Sequence, residues 1–215
     1  MKCSVLMPSR ERPDMAEESI KSLGKGDYEV LVYLDDDDKD LLQYKDIAKK
    51  YKQVKLFIQP RLTYYRFHEM INFLAEHAKG DWLWLWNDDA FVTEGNPFEH
   101  LKSQDSDKVV VLWYRCRPND HLNLFPAISR KMYETQGFFS MSPHCDSWAM
   151  DMGNELGVQH KVPDVWLEHR RDFTSLVDDT KAHTMNAYNV TVPQHNSEEV
   201  QAEFRKQVIK LRELL

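Results

Sequence analysis

The stretch GDWLWLWNDDAFV, residues 80–92, decides how the chain folds. Five apolar residues run unbroken from Trp82 to Trp86. In an extended chain successive side chains point to opposite sides, so Trp82, Trp84 and Trp86 share one face and Leu83 and Leu85 the other. Both faces are apolar, which is the pattern of a strand buried on both sides in a parallel sheet. The run stops at Asn87-Asp88-Asp89. Polar groups where a central strand leaves an α/β sheet lie in the crevice at the strands' carboxyl ends, where such folds hold ligands. A plain polar turn is the alternative reading of the same residues.

Upstream, strand and helix patterns alternate. Residues 3–7 read as a buried strand running into Pro8-Ser9-Arg10. Pro13 suits a first helical turn, Met15, Ala16, Ile20 and Leu23 give that helix an apolar face, and Gly24 closes it. A second strand, 29–34, ends in Asp35, Asp36, Asp37 and Asp38. Helix 41–51, strand 54–58 and helix 67–78 follow, the last with Met70, Ile71, Leu74 and Ala78 at helical spacing. The expected architecture is α/β, with a mostly parallel central sheet flanked by helices. Two strands run into aspartates, so both acidic clusters should share one edge of the sheet.

Downstream of Val92 the pattern loosens. Residues 109–114 form a strong strand pattern, and 115–125 are polar and rich in turn formers. A short helix at 129–136 is closed by Gly137, and a loop spans 138–145. A helix at 146–156 is closed by Gly157, and a late strand at 162–167 leads to Glu168-His169. The last helix, 198–214, puts Val200, Phe204, Val208, Leu211 and Leu215 on one stripe. No linker interrupts the chain, so a single domain over 1–215 is expected.

Composition narrows the function. Hydrophobic residues make up 42% of 215, which excludes general disorder. The formal net charge of -7 argues against a nucleic acid partner, which needs a basic face. Three cysteines, Cys3, Cys116 and Cys145, show no paired spacing, so a reducing, cytoplasmic setting is expected rather than a disulfide framework. No apolar run reaches the length of a transmembrane segment, and the stretch 3–7 is too short for a signal peptide.

Taken together, Pro8-Ser9-Arg10 after the first strand, acids after the second, and Asn72, Ala78, Gly80, Asn87 and Asp89 in their spacing resemble a family 2 glycosyltransferase. The resemblance covers roughly the first hundred residues. It implies the Rossmann-like nucleotide-diphospho-sugar transferase fold, called A-type. It divides the domain into a nucleotide-binding part, 1–95, and an acceptor-side part with the C-terminal helix, 96–215. It implies transfer of a sugar from a nucleotide-sugar donor, a UDP-sugar foremost, to a hydroxyl acceptor on a glycan or small molecule, with inversion. A divalent metal ion, Mn²⁺ or Mg²⁺, would neutralise the leaving diphosphate. The segment 165–180 also resembles small bacterial and phage glycosyltransferases in which a His precedes an Asp-Thr pair, here Asp179-Thr180.

Asn87 stands where the family's Asp-x-Asp motif has its first acid. An amide can bond a ribose hydroxyl but ligates a hard cation poorly. Metal binding therefore falls to Asp89, with His169 as an imidazole partner and Asp88 in a supporting role. Pro8 and Ser9 would shape the nucleotide pocket, with Asp35 or Asp36 receiving the base or ribose. Arg10, Arg12, Arg61 and Arg66 are candidates for the diphosphate, against surface solvation. Asn72 completes the nucleotide-side set. Asp146, at a helix start, is the candidate base; the competing reading is a helix cap, and Asp151 is the fallback. Trp113, Tyr114, Phe125, Phe138 and Phe139 could stack on sugars or simply pack the core. Two rivals stand beside the transferase. One is a sugar-nucleotide or glycan-binding protein without turnover, kept open by Asn87. The other is a nucleotidyltransferase, disfavoured because no glycine-rich loop follows the first strand.

Overall fold

The computed structural model describes residues 2–170 and 195–215. The first half alternates strand and helix: β1 (Cys3–Pro8), α1 (Pro13–Ser22), β2 (Tyr28–Asp35), α2 (Leu41–Lys50), β3 (Val54–Gln59), α3 (Phe67–His77) and β4 (Trp82–Leu85). Then come β5 (Ala90–Glu94), α4 (Pro97–Lys102), β6 (Val111–Arg117), β7 (Ala127–Ser129), α5 (Arg130–Gln136), α6 (Cys145–Leu156), β8 (Gln159–His169) and α7 (Glu198–Arg212).

The strands form one sheet in the order β3-β2-β1-β4-β7-β6-β8-β5. β3, β2, β1 and β4 are all parallel. Beyond β4 the sheet is mixed: β7 runs antiparallel to β4 and β6, β8 parallel to β6, and β5 antiparallel to β8. The expectation of an α/β sheet flanked by helices holds, and its parallel character is concentrated in the first half. β5, α4 and β7 have no counterpart among the elements expected from the sequence.

The Trp strand splits the core as its alternation requires. Trp82, Trp84 and Trp86 are fully buried in the layer that includes Ala16, Ile20 and Tyr44 of α1 and α2. Leu83 and Leu85 pack in the opposite layer with Ile71 and Leu74 of α3 and Trp148 of α6. Burial of each such leucine contributes about 1.5–3 kcal/mol. The buried indoles keep their hydrogen bonds: Trp84 Nε1 donates to the Phe125 carbonyl at 2.9 Å and Trp86 Nε1 to Ser19 Oγ at 2.8 Å.

Gly80 lets β4 enter beside β1. A Cβ there would lie 2.5 Å from the Ser4 backbone nitrogen, and the Gly80 N–H donates to Ser4 Oγ at 2.8 Å. Gly137 and Gly157 close α5 and α6 in the left-handed conformation, as their positions suggested. The last helix departs from its expected stripe. Val200, Val208 and Leu211 are buried, but Leu215 is 63% exposed, because α7 stops at Arg212 and Leu215 lies beyond its packed turns.

Candidate active site

Because β1, β2 and β4 are neighbours and parallel, the segments after them meet at one edge of the sheet. The turn after β4 is tight: Ala90 N–H donates to the Asn87 carbonyl at 3.1 Å, and Ser19 Oγ donates to the Ala90 carbonyl at 2.6 Å. The chain then enters β5, whose pairing with β8 sets Ala90 opposite His169. That register delivers Asp89 to the end of β8. Asp89 Oδ1 lies 3.1 Å from His169 Nε2, and Arg170 N–H donates to the Asp89 carbonyl at 2.8 Å. His169 is 9% exposed, and the Phe125 ring stands edge-on to its imidazole at 5.1 Å.

Asp88 turns inward and is 1% exposed. Ser9 Oγ donates to its Oδ2 at 2.7 Å, and Arg12 Nη2 sits 2.9 Å from its Oδ1. Arg12 Nη1 is also 4.0 Å from Asp89 Oδ2. Ser9 Oγ lies 2.7 Å from the Tyr44 hydroxyl, which accepts the Arg12 backbone N–H at 3.1 Å. Pro8 is the last residue of β1, directly before Ser9. Asn87 is half-buried.

The four aspartates after β2 divide their roles. Asp35 is buried; its Oδ1 accepts from Leu62 N–H at 3.2 Å and its Oδ2 from Arg10 Nη1 at 3.0 Å. Burial raises its pKa against the pull of those donors. Asp36 is exposed. Asp37 pairs with Arg10 at 2.5 Å and with Arg61 at 3.3 Å, and Arg10 lowers its pKa. Asp38 is buried and accepts from the backbone N–H groups of Glu11 and Asp40, which fixes the loop. Of the four arginines, Arg10, Arg12 and Arg61 face acids of this edge. Arg66 instead forks from the N-cap of α3 onto Glu69 in that helix's first turn.

Asn72 has a definite partner in the protein. Its Oδ1 accepts from Phe139 and Ser140 N–H at 2.8 and 3.1 Å, and its Nδ2 donates to the Ser140 carbonyl at 2.8 Å. The amide thus pins the loop before α6 to α3. Asp146 lies in the first turn of α6, half-buried, where its Oδ1 accepts from Ser147 N–H at 2.8 Å. It is inside the helix rather than at its cap, which is His144. Asp151 pairs with His195 Nε2 at 2.8 Å, just ahead of α7. Tyr114, Phe125 and Phe139 are core residues, at most 1% exposed, whereas Trp113 and Phe138 are half-buried. Asp179-Thr180 lies outside the described residues. Sequence reading missed Tyr44. On the apolar face of α2 it carries only the signal of a core residue.

Among the described residues no group of three or more His, Cys, Asp or Glu side chains is arranged around a metal position. Asp89 and His169 form a pair. No helix of the described residues is long and apolar enough to cross a membrane.

Residues 4–150 match the family described as Glycosyl transferase family 2. The curated proteins contain no match. Among solved structures, the chain resembles mannosyltransferase PcManGT from Pyrobaculum calidifontis in complex with GDP-Man and Mn2+. The TM-score is 0.60 at 14% identity, over 99% of this chain and 69% of that one. It also resembles S. aureus TarS 1-349 in complex with UDP, with TM-score 0.61 at 14% identity over 98% and 70%. The same protein in complex with UDP-GlcNAc gives 0.57 at 16% identity over 98% and 71%. At such identities the likeness is one of fold, the A-type glycosyltransferase fold. With a family match across most of its length, the chain belongs to glycosyl transferase family 2.

Proposed function

We propose that this glycosyltransferase takes a sugar from a nucleoside diphosphate donor, UDP-linked, and passes it to a hydroxyl acceptor with inversion, using a divalent metal ion. The observation that carries the reading is the meeting of Asp89 and His169, 3.1 Å apart, at the edge where β1, β2 and β4 also end. The neighbours crystallised with UDP, UDP-GlcNAc and GDP-Man support the donor class.

The donor set fits a metal ion. One carboxylate and one imidazole offer an oxygen and a nitrogen, which suits Mn²⁺ over Mg²⁺. Two protein ligands are enough where substrate phosphates and water complete the shell. Asp89 and His169 would hold the ion, and when bound it would neutralise charge developing on the leaving diphosphate. Asp88, buried against Ser9 and Arg12, would stand behind that shell rather than in it.

The remaining roles rest on the chain's own groups. Arg12 and Arg10 supply guanidinium forks for phosphate oxygens. Asp35 or Asn87 would receive the base or ribose. Asp146 would take the acceptor proton, with Asn72 fixing the loop that presents its helix. Residues 1–95 would thus hold the donor and 96–215 the acceptor. The three cysteines are buried thiols in no disulfide, which accords with a reducing, cytoplasmic setting. The nucleotidyltransferase reading gives way to the family match. Calorimetric titration with UDP, GDP and their sugars, with and without Mn²⁺, tests the proposal. Metal-enhanced UDP binding supports it, and indifference to every nucleotide would overturn it.

A further inference from the structure

The hydrogen bonds around Asp88 have only one consistent direction. A carboxylate accepts only, so Ser9 Oγ spends its proton on Asp88 Oδ2, 2.7 Å away. The Tyr44 hydroxyl accepts the Arg12 backbone N–H at 3.1 Å. Ser9 and Tyr44 lie 2.7 Å apart, and the serine proton is already used, so Tyr44 donates to Ser9. The result is a directed chain, Tyr44 to Ser9 to Asp88, closed by the Arg12 guanidinium at 2.9 Å from the other carboxylate oxygen. Tyr44 is 1% exposed and Asp88 likewise, so neither can touch a ligand directly. Burial pushes the Tyr44 hydroxyl's pKa up, which keeps its proton in place for donation.

Arg12 is held at two points by this chain, its backbone by Tyr44 and its guanidinium by Asp88. Its side chain is 30% exposed and reaches within 4.0 Å of Asp89 Oδ2. We propose that Tyr44, Ser9 and Asp88 are positioning residues that set the Arg12 guanidinium against the donor's diphosphate. This rests on the donor reading given above. The motif's middle acid then serves Arg12 rather than a metal ion, and the functional constellation extends to a tyrosine on α2.

The test compares UDP with uridine by calorimetry on Tyr44→Phe, which keeps the ring and removes only the hydroxyl. The expected result is a roughly tenfold weaker UDP affinity, the scale of one lost hydrogen bond supporting a charged group. Uridine affinity should stay unchanged, and the unfolding midpoint should fall only modestly, because the Arg12 N–H loses its buried acceptor. Arg12→Ala should show the same selectivity for UDP, and adding Tyr44→Phe to it should cost nothing more. Tyr51→Phe removes another α2-end hydroxyl, one bonded to Glu17 outside the site, and should leave UDP affinity alone. Equal weakening of UDP and uridine, or a full extra loss in the Arg12→Ala background, would overturn the positioning role. If Tyr44→Phe unfolds, Asp88→Asn weakens the same hold on the Arg12 guanidinium while keeping the side chain's shape, and the same comparisons apply. Wild-type protein that binds uridine and UDP not at all would overturn the donor reading and this role with it. Wild-type UDP binding that Tyr44→Phe leaves intact would overturn the positioning role alone.

Discussion

Asp89 and His169, eighty residues apart in the chain, face each other across 3.1 Å because β5 pairs with β8. Each is a ligand candidate, but they differ in charge. Asp89→Ala removes the anionic donor and should abolish the enhancement of UDP binding by Mn²⁺. His169→Ala removes a neutral donor, so the enhancement should weaken and excess Mn²⁺ should restore it. Calorimetry of UDP across a Mn²⁺ series separates the two. Equal and unrescued losses would show that the roles are divided differently.

Asp146 separates chemistry from binding. Asp146→Asn keeps the side chain's shape and an oxygen for the Ser147 N–H, but removes the basic site. Transfer should fall by roughly 10²–10⁴-fold while UDP affinity and thermal unfolding hold. Full transfer by the folded variant would place the base elsewhere. Asp151 is then the next variant to measure, with its His195 pairing taken into account.

Gly80 tests a packing claim. The Cβ of Gly80→Ala would press on the Ser4 nitrogen at 2.5 Å and on the Cys3 carbonyl carbon and Lys2 carbonyl oxygen at 2.8 Å, all backbone at the start of β1. The expected loss is about 1–3 kcal/mol, read as a lower midpoint in urea with an unchanged slope. An unaltered midpoint would mean that β4 can shift away from β1 without cost.

Glu29 gives the fold an acid limit. It is 1% exposed, and burial alone would raise its pKa; Lys55, the Lys79 N–H and Ser4 outweigh that and lower it to about 2 from 4.5. A depressed native pKa means that the unfolded chain takes up the proton first as pH falls. The stabilisation is therefore complete above about pH 4.5 and disappears as pH falls toward 2. In Glu29→Gln, the slope of stability against pH in that window should shrink by up to about one proton. Denaturant midpoints measured from pH 6 to 2 check this, and an unchanged slope would contradict it.

How far the sequence could be read depends on how much apolar surface each element buries. The Trp82–Trp86 run, the helix faces of α1 and α3 and the acids after β2 and β4 were legible, because each carries a repeated pattern. β7 has three residues and β5 five, of which only Ala90 and Phe91 are buried, so neither offers a period to read. α4 did carry a signal, Asn96 as its cap and Pro97 in its first turn. Missing β5 left His169 linked to Asp89 by resemblance alone, when the β5–β8 register is its physical cause. The spacing of Asn72 points to the nucleotide side, but its bonding to Phe139 and Ser140 depends on a contact between residues far apart in the chain. Tyr44 was invisible for the same reason.

Turnover of a nucleotide-sugar at this edge is open to direct assay. The most direct measurement is release of free nucleotide from a panel of UDP-sugars and GDP-mannose, with Mn²⁺ and with a chelator, in wild-type protein and Asp89→Ala. UDP release should require Mn²⁺ and be lost in Asp89→Ala. Release that persists in Asp89→Ala, or no release from any donor by a wild-type protein that binds them, would contradict it.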